Sequence, residues 1–205
     1  MSQYHDAVLL VTTLCNRQCR ECCYRIPTHE TLPPQHYEWA YFETAAKYLS
    51  GLDTLYVSGG EPTLHPEFPR IAQEFRSLFG PRRMILATNG LWTAAYAEHL
   101  NQFDIISVTD FGNTLSADEV ARMEQRYPGR FIVRPALHIP FGVVGSGYPC
   151  SRRNIPAYAN GRLYPCCVAP GLSGAASIEP TSDWREKLAV QPLSCVSCAF
   201  SESTP

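Results

Sequence analysis

Five apolar, often β-branched stretches punctuate the first two thirds of the chain, and segments with apolar residues at helical spacing separate them. The strand-like stretches are residues 8–13 (VLLVTT), 54–58 (TLYVS), 84–87, 105–109 and 131–137. The spacing predicts helices over 34–49, 67–79, 94–100 and 117–126. Stop signals agree with these bounds: Gly51, Gly80-Pro81 and Asn89-Gly90 follow apolar runs. Ser116 with Glu119 three residues on forms a predicted capping box.

Strands alternating with helices imply parallel pairing through right-handed crossovers. The expected fold class is α/β: an open, partial (β/α) barrel of about five parallel strands and four helices, with ligands held by loops at the strand C-termini. After residue 137 the alternation stops, and residues 139–182 are rich in Pro, Gly and Ser. Asn160-Gly161 predicts a hairpin turn between 155–158 and 163–164, and 183–190 predicts a last helix. We divide the chain into a barrel, 1–140, and a small cysteine-rich C-terminal domain, 141–205. With little core of its own, that second part would gain from a metal staple.

Composition narrows the chemistry. Of 205 residues, 45% are hydrophobic and 18% charged, with a formal net charge of −2, so neither a nucleic-acid grip nor an anionic-membrane surface is expected. No apolar run is long enough for a bilayer, and the first residues lack the basic, apolar and cleavage segments of an export signal. A cytoplasmic location is the expectation. Nine cysteines in a reducing compartment point to metal or redox chemistry rather than disulfides. They gather at Cys15, Cys19, Cys22 and Cys23, then at Cys150, Cys166 and Cys167, then at Cys195 and Cys198.

In Cys15-Asn-Arg-Gln-Cys19-Arg-Glu-Cys22, three thiols on one tight loop can ligate three irons of a [4Fe–4S] cube and leave the fourth iron open. Zinc prefers four ligands in paired knuckles. This loop, Ser58-Gly59-Gly60-Glu61-Pro62 after the second strand and Thr88-Asn89-Gly90 after the third resemble the radical S-adenosylmethionine (SAM) superfamily over residues 7–137. The resemblance implies that Cys15, Cys19 and Cys22 hold the cluster. SAM would chelate the open iron by its amino and carboxylate groups and be split to a 5′-deoxyadenosyl radical. It also implies that the 58–62 loop meets the methionine end of SAM, that Asn89 joins the cofactor site, and that Ser107 and Asp110 contact ribose and substrate. Arg134 suits the SAM carboxylate. Glu21 stands where the family carries an aromatic residue, and Tyr24 is the alternative aromatic contact.

Cys150, Gly161 before Cys166, and the pair Cys195/Cys198 resemble the "twitch" extension, a shortened SPASM domain of the same superfamily. That resemblance implies an auxiliary, fully ligated [4Fe–4S] cluster acting as an electron conduit; structural zinc is the alternative reading. Cys23 and Cys167 are left as buried spare thiols or as hydrogen-atom donors. His138 or His65 could move a proton near neutral pH. Arg152 and Arg153 are a solvated pair, bind an acidic substrate or tune the auxiliary cluster.

The layout resembles small auxiliary-cluster dehydrogenases of aminocyclitol biosynthesis. That implies an oxidoreductase taking hydrogen from a small carbohydrate-like substrate, reduced by a flavodoxin or ferredoxin. Epimerisation with Cys167 as hydrogen donor, peptide modification and a zinc-binding adaptor are the competing expectations.

Overall fold

Buried β-branched and aliphatic runs read as strands of a mostly parallel sheet. The computed structural model describes residues 4–19, 22–92, 96–110, 115–135, 155–171 and 175–189. Its strands are β1 (Asp6–Thr12), β2 (Thr54–Gly59), β3 (Arg83–Thr88), β4 (Ile105–Asp110), β5 (Phe131–Pro135), β6 (Ala157–Ala159) and β7 (Arg162–Tyr164). The helices are α1 (Trp39–Leu49), α2 (Phe68–Phe79), α3 (Ala117–Arg126) and α4 (Trp184–Ala189). One seven-stranded sheet runs in the order β5-β4-β3-β2-β1-β6-β7. The first six strands in that order pair in parallel, and β7 closes an antiparallel hairpin on β6. The expected five-stranded α/β core is therefore present, and the Asn160-Gly161 turn is a real hairpin, with both residues at positive φ.

Strand register sorts the side chains into two faces. Leu9, Val57, Leu86 and Ile106 are successive cross-strand partners, each fully buried. Tyr158, the partner of Leu9 on β6, packs its ring 5.1 Å from Tyr41 of α1, which marks this face as the helical side. The opposite, inner face carries Ser58, Ala87, Ser107, Thr109, Ile132 and Arg134. Ala87 pairs with Ser107, Ser107 with Ile132, and Thr109 with Arg134.

Three features depart from the sequence pattern. The first helix begins at Trp39 rather than at 34. Residues 35–37 are extended instead, because they pair with the end of β1: Thr13 N donates to the Gln35 carbonyl (2.8 Å) and Tyr37 N to the Val11 carbonyl (3.2 Å). The third expected helix is, in its described part, a short 3-10 turn at His99–Gln102. The described C-terminal residues, 155–171 and 175–189, pack against the barrel. β6 lies beside β1, and Tyr158, Leu163, Trp184 and Leu188 are buried in the same apolar core as the barrel. Trp184 stacks obliquely on Tyr4 (5.8 Å) and donates its indole N–H to the Tyr48 carbonyl (2.9 Å). The capping box at Ser116 and Glu119 is formed as expected. Among the described residues, no helix is long and apolar enough to cross a membrane.

Candidate active site at the strand C-termini

Two strand ends converge on one buried carboxylate. Glu61 has no solvent exposure. It accepts hydrogen bonds from the Thr63 N–H (3.1 Å) and hydroxyl (2.7 Å), the Thr88 hydroxyl (2.8 Å) and the Asn89 N–H (2.7 Å). Burial pushes the Glu61 carboxyl up from its ordinary range, and these four donors pull it back. The carboxylate thus clasps the end of β2 to the end of β3. Asn89 extends the clasp to the cysteine loop: its Nδ2 donates to Asn16 Oδ1 (2.8 Å) and lies 3.7 Å from Cys15 Sγ.

The glycines of the Ser58-Gly59-Gly60-Glu61-Pro62 loop are explained by close backbone approach. Gly60 N donates to the Thr12 carbonyl and Glu61 N to the Leu14 carbonyl, both at 2.8 Å. A Cβ on Gly60 would overlap the Leu14 carbonyl, and one on Gly59 the Thr12 carbonyl. Pro62 opens the short turn that follows. The glycines therefore seat the loop against the root of the cysteine loop.

Cys15, Cys19 and Cys22 are half-buried on that loop. Burial pushes the Cys15 and Cys19 thiols up. Backbone N–H of Arg17 donates to Cys15 Sγ (3.4 Å), and the Arg17 guanidinium favours the Cys19 thiolate. Among the described residues, no three His, Cys, Asp or Glu side chains converge on the position of a single ion. The donor set nonetheless suits a cube: three thiols on one loop, a sulfur met by two N–H donors, and a neighbouring cation to offset cluster charge.

Tyr24 lies behind the loop, 8% exposed, with its hydroxyl 3.4 Å from Ser58 Oγ. Burial drives its phenol well above the ordinary range, and the neighbouring Cys23 and Cys167 thiols add to this. Cys167 is itself buried. Gly171 sits so close to Cys23 and Tyr24 that a Cβ would overlap the Cys23 carbonyl. The short turn that follows Cys166 and Cys167 thus lies directly against the residues leaving the first cysteine loop. Nothing in the sequence pattern announces that contact.

Ser107 and Arg134 share the inner face with Ser58, whereas strand alternation puts Asp110 in phase with Ile106 and Val108 on the helical side. His65 is a core residue: Nε2 donates to the Tyr37 carbonyl (2.9 Å), and Nδ1 accepts the Glu67 N–H (3.1 Å). Burial holds its pKa below the ordinary value. His138, Cys150, Arg152, Arg153, Cys195 and Cys198 lie outside the described residues. Sequence reasoning missed Asn16, Thr63 and the hydroxyl of Thr88 as members of the site. Their polar character directly beside the two motifs was the available signal.

Comparison with known proteins places this arrangement. The Radical SAM superfamily family profile matches residues 9–110, which span the cysteine loop, the Glu61 clasp and the Asn89 turn. The chain belongs to the radical SAM superfamily. Among curated relatives of this radical SAM enzyme, GTP 3′,8-cyclase of Acidothermus cellulolyticus is 31% identical over 126 residues, 58% of this chain and 34% of the relative. GTP 3′,8-cyclase 1 of Mycobacterium tuberculosis is 26% identical over 136 residues, 59% of this chain and 35% of the relative. The alignments thus span about a third of those relatives' length. Among solved structures, BtrN in complex with AdoMet and 2-DOIA superposes with a TM-score of 0.66 at 16% identity, covering 84% of this chain and 76% of that one. Streptococcus suis SuiB bound to S-adenosylmethionine superposes at 0.53 with 11% identity, covering 94% and 65%. At these identities the two structures share the fold.

Proposed function

We propose that this radical SAM enzyme oxidises a small, hydroxyl-rich substrate of carbohydrate or aminocyclitol type, with an auxiliary [4Fe–4S] cluster taking one electron. The observation that carries the reading is the inner face, where Ser58, Ser107, Thr109 and Arg134 present hydroxyls and one cation along β2, β4 and β5. Such a wall matches a small polyol better than an apolar ligand. The likeness to BtrN with AdoMet and 2-DOIA supports the same substrate class.

Cys15, Cys19 and Cys22 would hold the SAM-binding cluster, and Cys166 with Cys150, Cys195 and Cys198 the auxiliary one. Together with SAM, the first cluster supplies a carbon-centred radical able to remove a hydrogen atom. The protein's own part is to orient the substrate and to take the proton. Converting a secondary alcohol to a ketone releases a hydrogen atom from carbon, a proton from the hydroxyl and one electron. Ser107 and Thr109 would orient hydroxyls, Arg134 would hold an anionic group, and His138 would accept the proton, since Asp110 falls on the helical side of β4. A flavodoxin or ferredoxin would reduce the first cluster.

Anaerobic reconstitution tests the reading. The expected result is iron and sulfide at both cysteine groups, with 5′-deoxyadenosine formed and deuterium carried into it from a deuterated polyol or aminocyclitol. Loss of the first cluster's absorbance on changing Cys15, Cys19 or Cys22 to Ala is part of the same expectation. Zinc in place of iron, or no 5′-deoxyadenosine with any substrate, would overturn it. The buried place of Cys167 beside Tyr24 favours epimerisation as the second reading. In that case Cys167→Ala would abolish product while 5′-deoxyadenosine still formed.

A further inference from the structure

The orientation of the Asn89 carboxamide is fixed by its own hydrogen bonds. Leu91 N–H donates to Oδ1 (2.9 Å), so the amide oxygen faces the turn that follows β3. The NH2 group therefore faces the cysteine loop, with one hydrogen for Asn16 Oδ1 at 2.8 Å and the other for Cys15 Sγ at 3.7 Å. The backbone of Asn89 is anchored in turn by its N–H to Glu61 Oε2 (2.7 Å). Asn16 closes a ring by donating its own Nδ2 to the Leu91 carbonyl (3.1 Å). The carboxamide is thus committed to protein partners on both sides and held in place from β2 and β3 together. It has little left to offer a small ligand, and what it does offer is a donor aimed at a sulfur.

We propose that Asn89 sets the reduction potential of the N-terminal cluster by donating an N–H···S bond to the Cys15 thiolate. Resting on the assignment of Cys15 as a cluster ligand, this makes Asn89 a tuning residue. Hydrogen bonds to cluster sulfurs withdraw electron density and favour the reduced state. The Arg17 N–H to the same sulfur works in the same direction (3.4 Å). Splitting SAM requires an electron from a strongly reducing cluster, so a donor on one ligand sets how readily the physiological reductant can load that electron.

The test is a redox titration followed by the electron paramagnetic resonance of the reduced N-terminal cluster, in protein reconstituted without SAM. In Asn89→Ala the ratio of reduced to oxidised cluster at a fixed ambient potential should fall about tenfold, a shift of about 59 mV for a one-electron couple. Asn89→Asp keeps the acceptor for Leu91 but replaces the donor with negative charge, and should shift the potential further the same way. Unchanged potentials in variants with full iron content would overturn the proposal. Should either variant fail to load iron, the wild-type protein decides: with asparagine side chains labelled with 15N, the reduced cluster should show hyperfine coupling to a 15N nucleus, and its absence overturns the proposal. A wild-type protein that takes up no iron at this loop would instead refute the cluster assignment itself.

Discussion

The two halves of the barrel rim are built differently. At the ends of β1, β2 and β3, backbone touches backbone, and a fully buried carboxylate takes four hydrogen bonds across two strands. At β4 and β5 the inner-face side chains Ser107, Thr109 and Arg134 remain partly or largely exposed, and the following helix α3 buries none of its residues. The first half can hold a reactive group in one geometry. The second half can adapt to what enters. An enzyme that makes a radical needs the former to be rigid before it needs the latter to be specific.

Breaking the rigid half should be costly. Glu61→Ala strands the Thr63 and Asn89 backbone N–H groups, each at about 1–3 kcal/mol, so the apo-protein should lose about 2–6 kcal/mol in denaturant unfolding. Gly60→Ala forces a methyl into the Leu14 carbonyl. We expect a loss of about 1–3 kcal/mol and markedly reduced iron uptake, read by iron analysis after reconstitution.

A smaller effect separates the halves by pH. Folded His65 has a lowered pKa, and protonating Nδ1 would break its bond from Glu67 N–H. The unfolded chain takes up this proton first, near the ordinary value of about 6.5. Its contribution is therefore full above about 6.5 and falls as pH drops below it. Chemical denaturation of the apo-protein between pH 7.5 and 5.5 should show that slope, and His65→Gln should flatten it. On the adaptable half, Arg134→Gln should leave stability within about 0.5 kcal/mol, as surface changes usually do. It should raise KM for SAM or for an anionic substrate at least severalfold, and an unchanged KM for both would remove Arg134 from the site.

The strands were legible in the sequence because each is a short apolar run that ends at a glycine, an Asn-Gly or a polar loop. The cysteine loop and the Gly59-Gly60 pair were legible because both motifs are local. The segment at 35–37 fits a helical pattern through Tyr37, yet pairing to β1 overrides that pattern. What could not be read was long-range: Asn89 reaching Asn16 across 73 positions, or β6 finding β1. Spacing along a chain carries no record of which strand ends meet.

The position of β6 has a practical consequence. β1 bears the cysteine loop and lies between β2 and β6, so it is an interior strand only while the C-terminal hairpin is present. A fragment cut before residue 155 would lay bare the β1 backbone along an apolar strand, strip Gly171 from the back of Tyr24, and invite pairing with other copies. Expression trials that trim the tail to obtain a minimal catalytic barrel should therefore yield inclusion bodies rather than a smaller working enzyme.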